Sequence, residues 1–135
     1  KRLGGGVFND PAALADLNGT THRFVGEEIR RELRAAEEAK RPAAAIDAIA
    51  LIESGTGKLC DAVVGIIAPA EVRVRRIMAR EGIPEDYARK RVSAQKDEAF
   101  FRENCDYILE NSEDDTPEAF GARALLLFTE ILNRN

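Results

Sequence analysis

The chain has 135 residues, of which 44% are hydrophobic and 33% charged, a balance typical of one globular domain with a packed core. Its net charge of −4 argues against a nucleic-acid binder, since no basic excess is available to neutralise a phosphate backbone. No apolar run approaches the roughly 20 residues that cross a bilayer, so no membrane contact is expected. Cys60 and Cys105 are isolated and the chain has one histidine, which favours reduced cysteines in a cytoplasmic protein over a metal site.

The first elements are predicted to be helices. A short helix should begin at Asp10-Pro11, where an acceptor side chain precedes proline at the first helical position, and end near residues 18–19. A second helix is predicted over residues 22–40, because apolar residues recur there at three- and four-residue spacing. Pro42 should end it.

Three apolar segments are predicted strands: residues 43–52, 61–68 and 106–109. Two helices are predicted between the second and third strands. The first covers residues 69–81, and the second runs from Pro84 to about residue 95, or as far as residue 101. A last helix is predicted from Thr116-Pro117 onward. The last helix should turn five residues inward: Phe120, Ala124, Leu127, Phe128 and Ile131. Continuous apolar strands separated by helices indicate an α/β fold with a parallel sheet flanked by helices.

The residues Gly55-Thr56-Gly57-Lys58 resemble the end of a phosphate-binding loop, but the motif does not fit. It requires a first glycine at position 52 and a Ser or Thr at position 59, so that backbone amides curl around phosphates and a hydroxyl holds Mg²⁺. Ile52 and Leu59 stand there. The pattern favours an ordinary turn after a strand.

Asp47 and Glu53 lie on the first predicted strand, with Glu53 at its carboxyl end. Open α/β sheets bind ligands at that edge, so an acid there could orient a substrate hydroxyl or a metal-bound water. An acid that only caps a neighbouring loop explains the spacing equally well. His22, the only histidine, could contact a ligand, cap a helix or be an exposed ring.

Arginines are concentrated on the two helices predicted around residues 69–95. Arg76 and Arg80 are four residues apart and share a helix face, and Arg91 follows on the second helix. Mobile arginines that close over phosphate oxygens suit phosphoryl transfer. A solvated basic helix pair balanced by nearby glutamates explains the same pattern, and the spacing alone favours it.

Taken in order, several segments resemble the dephospho-CoA kinase family. The matching pieces are a family stretch R-x-x-L-x-x-x-V-F at residues 2–10, L-N-x-x-x-H-P at residues 17–22, D-x-P-L-L-x-E at residues 47–53, R-x-x-x-R at residues 76–80, R-x-x-x-Q at residues 91–95 and D-x-x-I-x-N at residues 106–111. The chain departs from these motifs at Arg23 and Ile49, where the family has proline. The resemblance covers the whole chain.

The resemblance implies a phosphate-loop kinase that moves the γ-phosphoryl of ATP, with Mg²⁺, to the ribose 3′-hydroxyl of dephospho-CoA. It implies a helical lid over residues 69–100 and acceptor-side helices over residues 10–41. Arg80 and Arg76 would reach the ATP phosphates and Asn111 would lie near the adenine. The acceptor side would involve His22, Asp47, Glu53, Arg91 and Gln95.

In this family the phosphate loop and its strand belong to an N-terminal third that should precede Lys1. That strand is expected between residues 43–52 and 61–68, and without it two apolar strands would expose unpaired edges. We therefore expect an upstream segment, or another chain, to supply it, and expect this chain alone to be inactive. Another small-molecule phosphate-loop kinase and a non-catalytic module that dimerises or binds a partner remain alternatives, and homo-oligomer formation stays open.

Overall fold

A computed structural model describes the backbone of residues 11–134 and the side chains from Phe24 to Arg134. The predicted helix cap at Asp10 lies outside these residues. Contacts group the chain up to Leu59 into one compact unit and the chain from Cys60 into a second. A single domain over residues 1–135 stays a prediction.

The first unit contains one long helix where two were predicted. Helix α1 spans Pro11–Glu38 without interruption, so the predicted end near residues 18–19 is wrong. A glycine such as Gly19 lowers helix propensity by about 1 kcal/mol but keeps its backbone N–H, whereas proline removes it. Beyond the last helical residue, Glu38, Lys40 has a left-handed φ of 54°. Arg41 N–H donates to the Ala36 carbonyl at 3.0 Å, and this pattern is a Schellman motif.

The predicted strand over residues 43–52 is not present. Residues 43–48 have no regular structure, residues 49–55 form turns, and a 3₁₀ helix follows at Thr56–Leu59. A strand satisfies its backbone groups only by pairing, and no described residue pairs with this segment. Gly55 lies in a turn with a φ of 74°, but Thr56, Gly57 and Lys58 belong to the 3₁₀ helix and no strand precedes them, so the predicted turn after a strand is wrong.

The second unit contains the sheet. Strands β1 (Val64–Ile67) and β2 (Tyr107–Glu110) are parallel, with Val64 opposite Tyr107 and Ile67 opposite Glu110. Asn111 N–H extends the ladder by donating to the Ile67 carbonyl at 2.8 Å. The predictions of both strands and of their parallel direction are confirmed.

Two helices follow β1 as a hairpin. Helix α2 (Ala70–Glu81) ends at Gly82, whose φ of 66° is left-handed, and helix α3 (Glu85–Ser93) begins after Pro84. They share a buried cluster of Val74, Ala88 and Val92, with Ile77, Met78 and Ile83 packed against it. The considered extension of α3 to residue 101 is wrong, because Asp97 caps a separate helix, α4 (Glu98–Asn104), by accepting from Phe100 N–H at 2.9 Å.

The last helix, α5, spans Pro117–Arg134, and Ala119 N–H donates to Thr116 Oγ1 at its start, as the Thr-Pro pair predicts. Four of its five predicted inward residues are half-buried, but Phe128 is 46% exposed. Successive helical residues are 100° apart, so Phe128 lies off the stripe that residues 120, 124, 127 and 131 share. No helix among the described residues is long and apolar enough to cross a membrane.

Candidate functional site

The Arg76 side chain, from the middle of α2, contacts the two residues that follow β2. Arg76 Nη2 donates to Asn111 Oδ1 at 2.9 Å and to the Ser112 carbonyl at 2.9 Å. Asn111 itself is tied by its backbone to the end of β1. Two predicted site residues, 35 positions apart in sequence, are therefore in direct contact at the edge of the sheet where open α/β proteins bind ligands.

The arginines of the α2–α3 hairpin differ in their partners. Four contact carboxylates: Arg75 with Glu113, Arg80 and Arg91 with Glu81, and Arg89 with Glu71 and Glu85. Arg73 and Arg76 bond only to neutral groups among the described residues. A guanidinium that is not paired with a carboxylate remains available to pair with an anionic ligand. The Arg76 guanidinium lies beside Asn111.

Arg73 occupies the base of the hairpin. Its Nη1 donates to Gln95 Oε1 at 2.7 Å, while its Nε is buried without a partner among the described residues. The contact joins the first turn of α2 to the second residue after α3, beside a cleft of about 340 Å³. Gln95, predicted on the acceptor side, thus packs against α2.

Glu81 joins two further predicted residues at the other end of the hairpin. It accepts from Arg80 Nη2 at 2.7 Å and from Arg91 Nη1. The hydrogen bond from Arg80, and then that from Arg91, lowers the pKa of the Glu81 carboxyl. Arg80 is 72% exposed, so its guanidinium can leave this carboxylate for a ligand without unpacking the hairpin.

The remaining predicted residues lie in the first unit. Asp47 is exposed on irregular backbone and Glu53 is exposed in a turn. The predictions that Asp47 lies within a strand and that Glu53 stands at its carboxyl end are therefore wrong. His22 belongs to α1, and its side chain lies outside the described ones. Their part in a site stays a prediction.

Sequence reasoning missed a second set of contacts beside Asn111. Arg123 Nη1 and Nη2 donate to the two carboxylate oxygens of Asp115 at 2.7 and 2.6 Å, and these bonds hold the pKa of Asp115 well below its usual range. Asp115 Oδ2 also accepts from Ser112 N–H at 2.7 Å. The acidic turn before α5 was the only signal, and a solvated turn explains such a run equally well.

Among the described residues, no group of three or more His, Cys, Asp or Glu side chains could hold a metal ion. In the second unit, arginine side chains contact amide side chains and a backbone carbonyl. Such groups suit anionic, oxygen-rich ligands.

A parallel sheet whose carboxyl edge carries Asn111, beneath a helix carrying an uncompensated arginine, defines an α/β protein with a candidate site for a phosphate-bearing ligand. A family model described as "Dephospho-CoA kinase" matches residues 1–116. The chain belongs to the dephospho-CoA kinase family.

Individual proteins agree with this assignment. The chain is 36% identical over 108 residues to "Dephospho-CoA kinase" from Syntrophotalea carbinolica, covering 78% of this chain and 50% of that protein. The crystal structure of TT1252 from Thermus thermophilus matches with a TM-score of 0.70 and 31% identity, over 97% of this chain and 65% of that one. A dephospho-CoA kinase structure from Campylobacter jejuni matches with a TM-score of 0.69 and 25% identity, over 98% and 65%. The chain spans about half the length of the curated relatives it matches.

Proposed function

We propose that the protein transfers the γ-phosphoryl of ATP to the ribose 3′-hydroxyl of dephospho-CoA. The observation that carries this proposal is the contact between Arg76 and Asn111, because it joins two separate motifs of the dephospho-CoA kinase resemblance at the ligand-binding edge of a parallel sheet. Membership of the family supports ATP and dephospho-CoA as the two substrates.

The hairpin arginines would stabilise the phosphates. In phosphoryl transfer the protein contributes mainly by positioning and by neutralising charge on the transferring oxygens. Arg76 offers an uncompensated guanidinium, and Arg80, exposed one helical turn further along α2, would exchange Glu81 for a phosphate oxygen. Phosphate carries more charge than one carboxylate, so this exchange is electrostatically favourable.

Asn111 would lie beside the adenine of ATP. Its side-chain oxygen is already held by Arg76 at 2.9 Å, which leaves the amide NH₂ group as the donor for a ring nitrogen or another acceptor of the base. The half-buried position of Asn111 strengthens any hydrogen bond made there.

Residues on the acceptor side are assigned by resemblance. Arg91 and Gln95 would contact dephospho-CoA from the hairpin, and His22, Asp47 and Glu53 would do so from the first unit. Gln95 already bonds Arg73 and Arg91 already bonds Glu81, so both would act from fixed positions.

ATP would carry Mg²⁺, which would supply positive charge to offset the charge on the phosphate oxygens. Since Mg²⁺ is usually held by phosphates, waters and only one or two carboxylates, and the described residues form no metal-binding cluster, none of them is assigned to the metal.

The test uses the full-length gene product with ATP and dephospho-CoA. We expect ADP formation that depends on dephospho-CoA, with the new phosphate on the 3′-oxygen by NMR. Arg80→Ala should lower turnover at least about a hundredfold with little change in thermal stability, since Arg80 is exposed. Arg102→Ala, which removes an exposed α4 arginine paired with Glu98, should retain turnover.

Transfer to other hydroxyl acceptors but not to dephospho-CoA would identify a different small-molecule kinase. Full turnover in Arg80→Ala would refute the role of the hairpin in phosphate binding. Absence of any transfer in the full-length product would favour the non-catalytic module.

A further inference from the structure

The segment between β2 and α5 begins with Asn111 and is fixed by contacts that the kinase motifs do not include. It runs over residues 111–116 and contains no helix or strand. Asn111 and Ser112 are half-buried, and the Asp115 side chain is only 9% exposed. A segment without regular structure needs tertiary contacts to hold a half-buried side chain in one place.

A single guanidinium supplies contacts at both ends of this segment. Arg123, on α5, donates to both Asp115 oxygens, and its Nη2 also donates to the Glu110 carbonyl at 2.9 Å. Glu110 is the last residue of β2 and immediately precedes Asn111. A two-bond arginine–carboxylate fork fixes orientation as well as distance, so the end of the strand and the start of the helix are held together.

The interior of the segment is held by the same carboxylate. Asp115 Oδ2 accepts from Ser112 N–H at 2.7 Å, and the Ser112 carbonyl accepts from Arg76 at 2.9 Å. Asn111 therefore lies between two anchored peptide groups, one from β2 and one from Ser112. We expect its contact with Arg76 to depend on both anchors.

We propose that Arg123 and Asp115 are positioning residues that hold Asn111 in place to receive the adenine of ATP. This inference rests on the proposed function for the identity of the nucleotide. Neither residue contacts the reacting atoms. Their loss should weaken nucleotide binding and leave the chemical step nearly unchanged, because the arginines over the phosphates remain.

The experiment compares Arg123→Ala and Asp115→Asn with wild type in the full-length gene product. We expect the KM for ATP, and the Kd for ADP measured by calorimetry, to rise about fivefold in both variants. Turnover at saturating ATP and the KM for dephospho-CoA should stay within about twofold. Arg123→Lys should recover only part of the affinity, because an ammonium cannot form the fork. The double variant should lose no more affinity than either single variant.

Arg134→Ala is the matched control. Arg134 also lies on α5 and forms an ion pair with Glu130 and a bond to the Tyr107 hydroxyl at 3.0 Å, but has no bond to the 111–116 segment among those described. Its ADP affinity should equal that of wild type. Amide exchange at Ser112, whose N–H bonds Asp115, should accelerate in Arg123→Ala and Asp115→Asn but not in Arg134→Ala.

The outcomes separate this inference from the proposed function. Unchanged ADP affinity in Arg123→Ala and Asp115→Asn, with or without faster exchange at Ser112, overturns the positioning role. A fall in turnover without a change in ADP affinity overturns it as well. A wild-type protein that binds ADP but does not phosphorylate dephospho-CoA refutes the proposed function alone, and the affinity comparison still decides the inference. A wild-type protein that binds no adenine nucleotide overturns both.

Discussion

Arg76 on α2 and Asn111 at the end of β2 share a hydrogen bond of 2.9 Å. The bond connects the helical hairpin with the edge of the parallel sheet, and Arg76 has no carboxylate partner among the described residues that would compete for it. We infer that this pair forms the centre of the nucleotide site.

Substitution of either member of this pair should weaken ATP binding. In the full-length gene product, Arg76→Ala and Asn111→Ala should each raise the KM for ATP about tenfold, because each removes a charge-assisted hydrogen bond. The double variant should lose less affinity than the sum of the two single losses, since both substitutions remove the bond that the two side chains share. Steady-state kinetics provide the measurement, with Arg102→Ala as the control, and additive losses would contradict a shared contact.

Removing the negative charge of Glu81 should strengthen ATP binding. Glu81 forms ion pairs with the guanidinium groups of Arg80 and Arg91, so Glu81→Gln leaves Arg80 more available to bind phosphate. We expect the KM for ATP to fall about threefold at low salt, with a smaller effect at high salt because exposed charges are screened. Glu98→Gln, which removes an acid paired with Arg102 on α4, serves as the control. A raised KM in Glu81→Gln would show that Glu81 instead holds Arg80 in its working position.

A side chain at position 65 should destabilise the sheet. A Cβ on Gly65 would lie 2.9 Å from Cys105 Sγ and 3.0 Å from Ile108 Cδ1, which is closer than packed atoms allow. Gly65→Ala should cost about 1–3 kcal/mol of unfolding free energy, measured by urea denaturation. Adding Cys105→Ala should restore part of the loss.

The matched control for Gly65→Ala is Gly121→Ala. Gly121 lies within α5 and an added Cβ there meets nothing within 4 Å, so alanine should stabilise the helix by about 0.5–1 kcal/mol. Equal changes in unfolding free energy for the two substitutions would show that the close contacts at Gly65 do not make an added Cβ destabilising.

The ion pair of Asp115 and Arg123 should make stability depend on pH in the acid range. Because Arg123 lowers the folded-state pKa of Asp115 below its ordinary value of 3.8, the pair contributes its full stabilisation above about pH 3.8 and loses it as the pH falls toward the lowered pKa. Wild type should therefore lose more stability than Asp115→Asn between pH 5 and pH 2. Thermal denaturation across that range tests this, and parallel curves for the two proteins would contradict it.

Local sequence patterns determined most of the second unit. Strands β1 and β2, the start of α3 after Pro84, and the Thr116 cap of α5 follow from apolar runs, proline and capping chemistry that act within a few residues. The ordered motifs also identified the family and singled out Arg76 and Asn111. Each of these features depends on residue types and on interactions between near neighbours in sequence, which do not require the rest of the fold.

Only the tertiary structure decided which of these residues meet and which predicted elements form. Residues 43–52 are as apolar as β1 but have no described partner strand, and pairing is what makes a strand. Arg73, Arg80 and Arg91 look alike in sequence, yet one bonds an amide and two share a carboxylate. The contact of Arg123 with Asp115, like that of Arg76 with Asn111, arises because strand and helix ends are brought together by packing, which residue spacing does not encode.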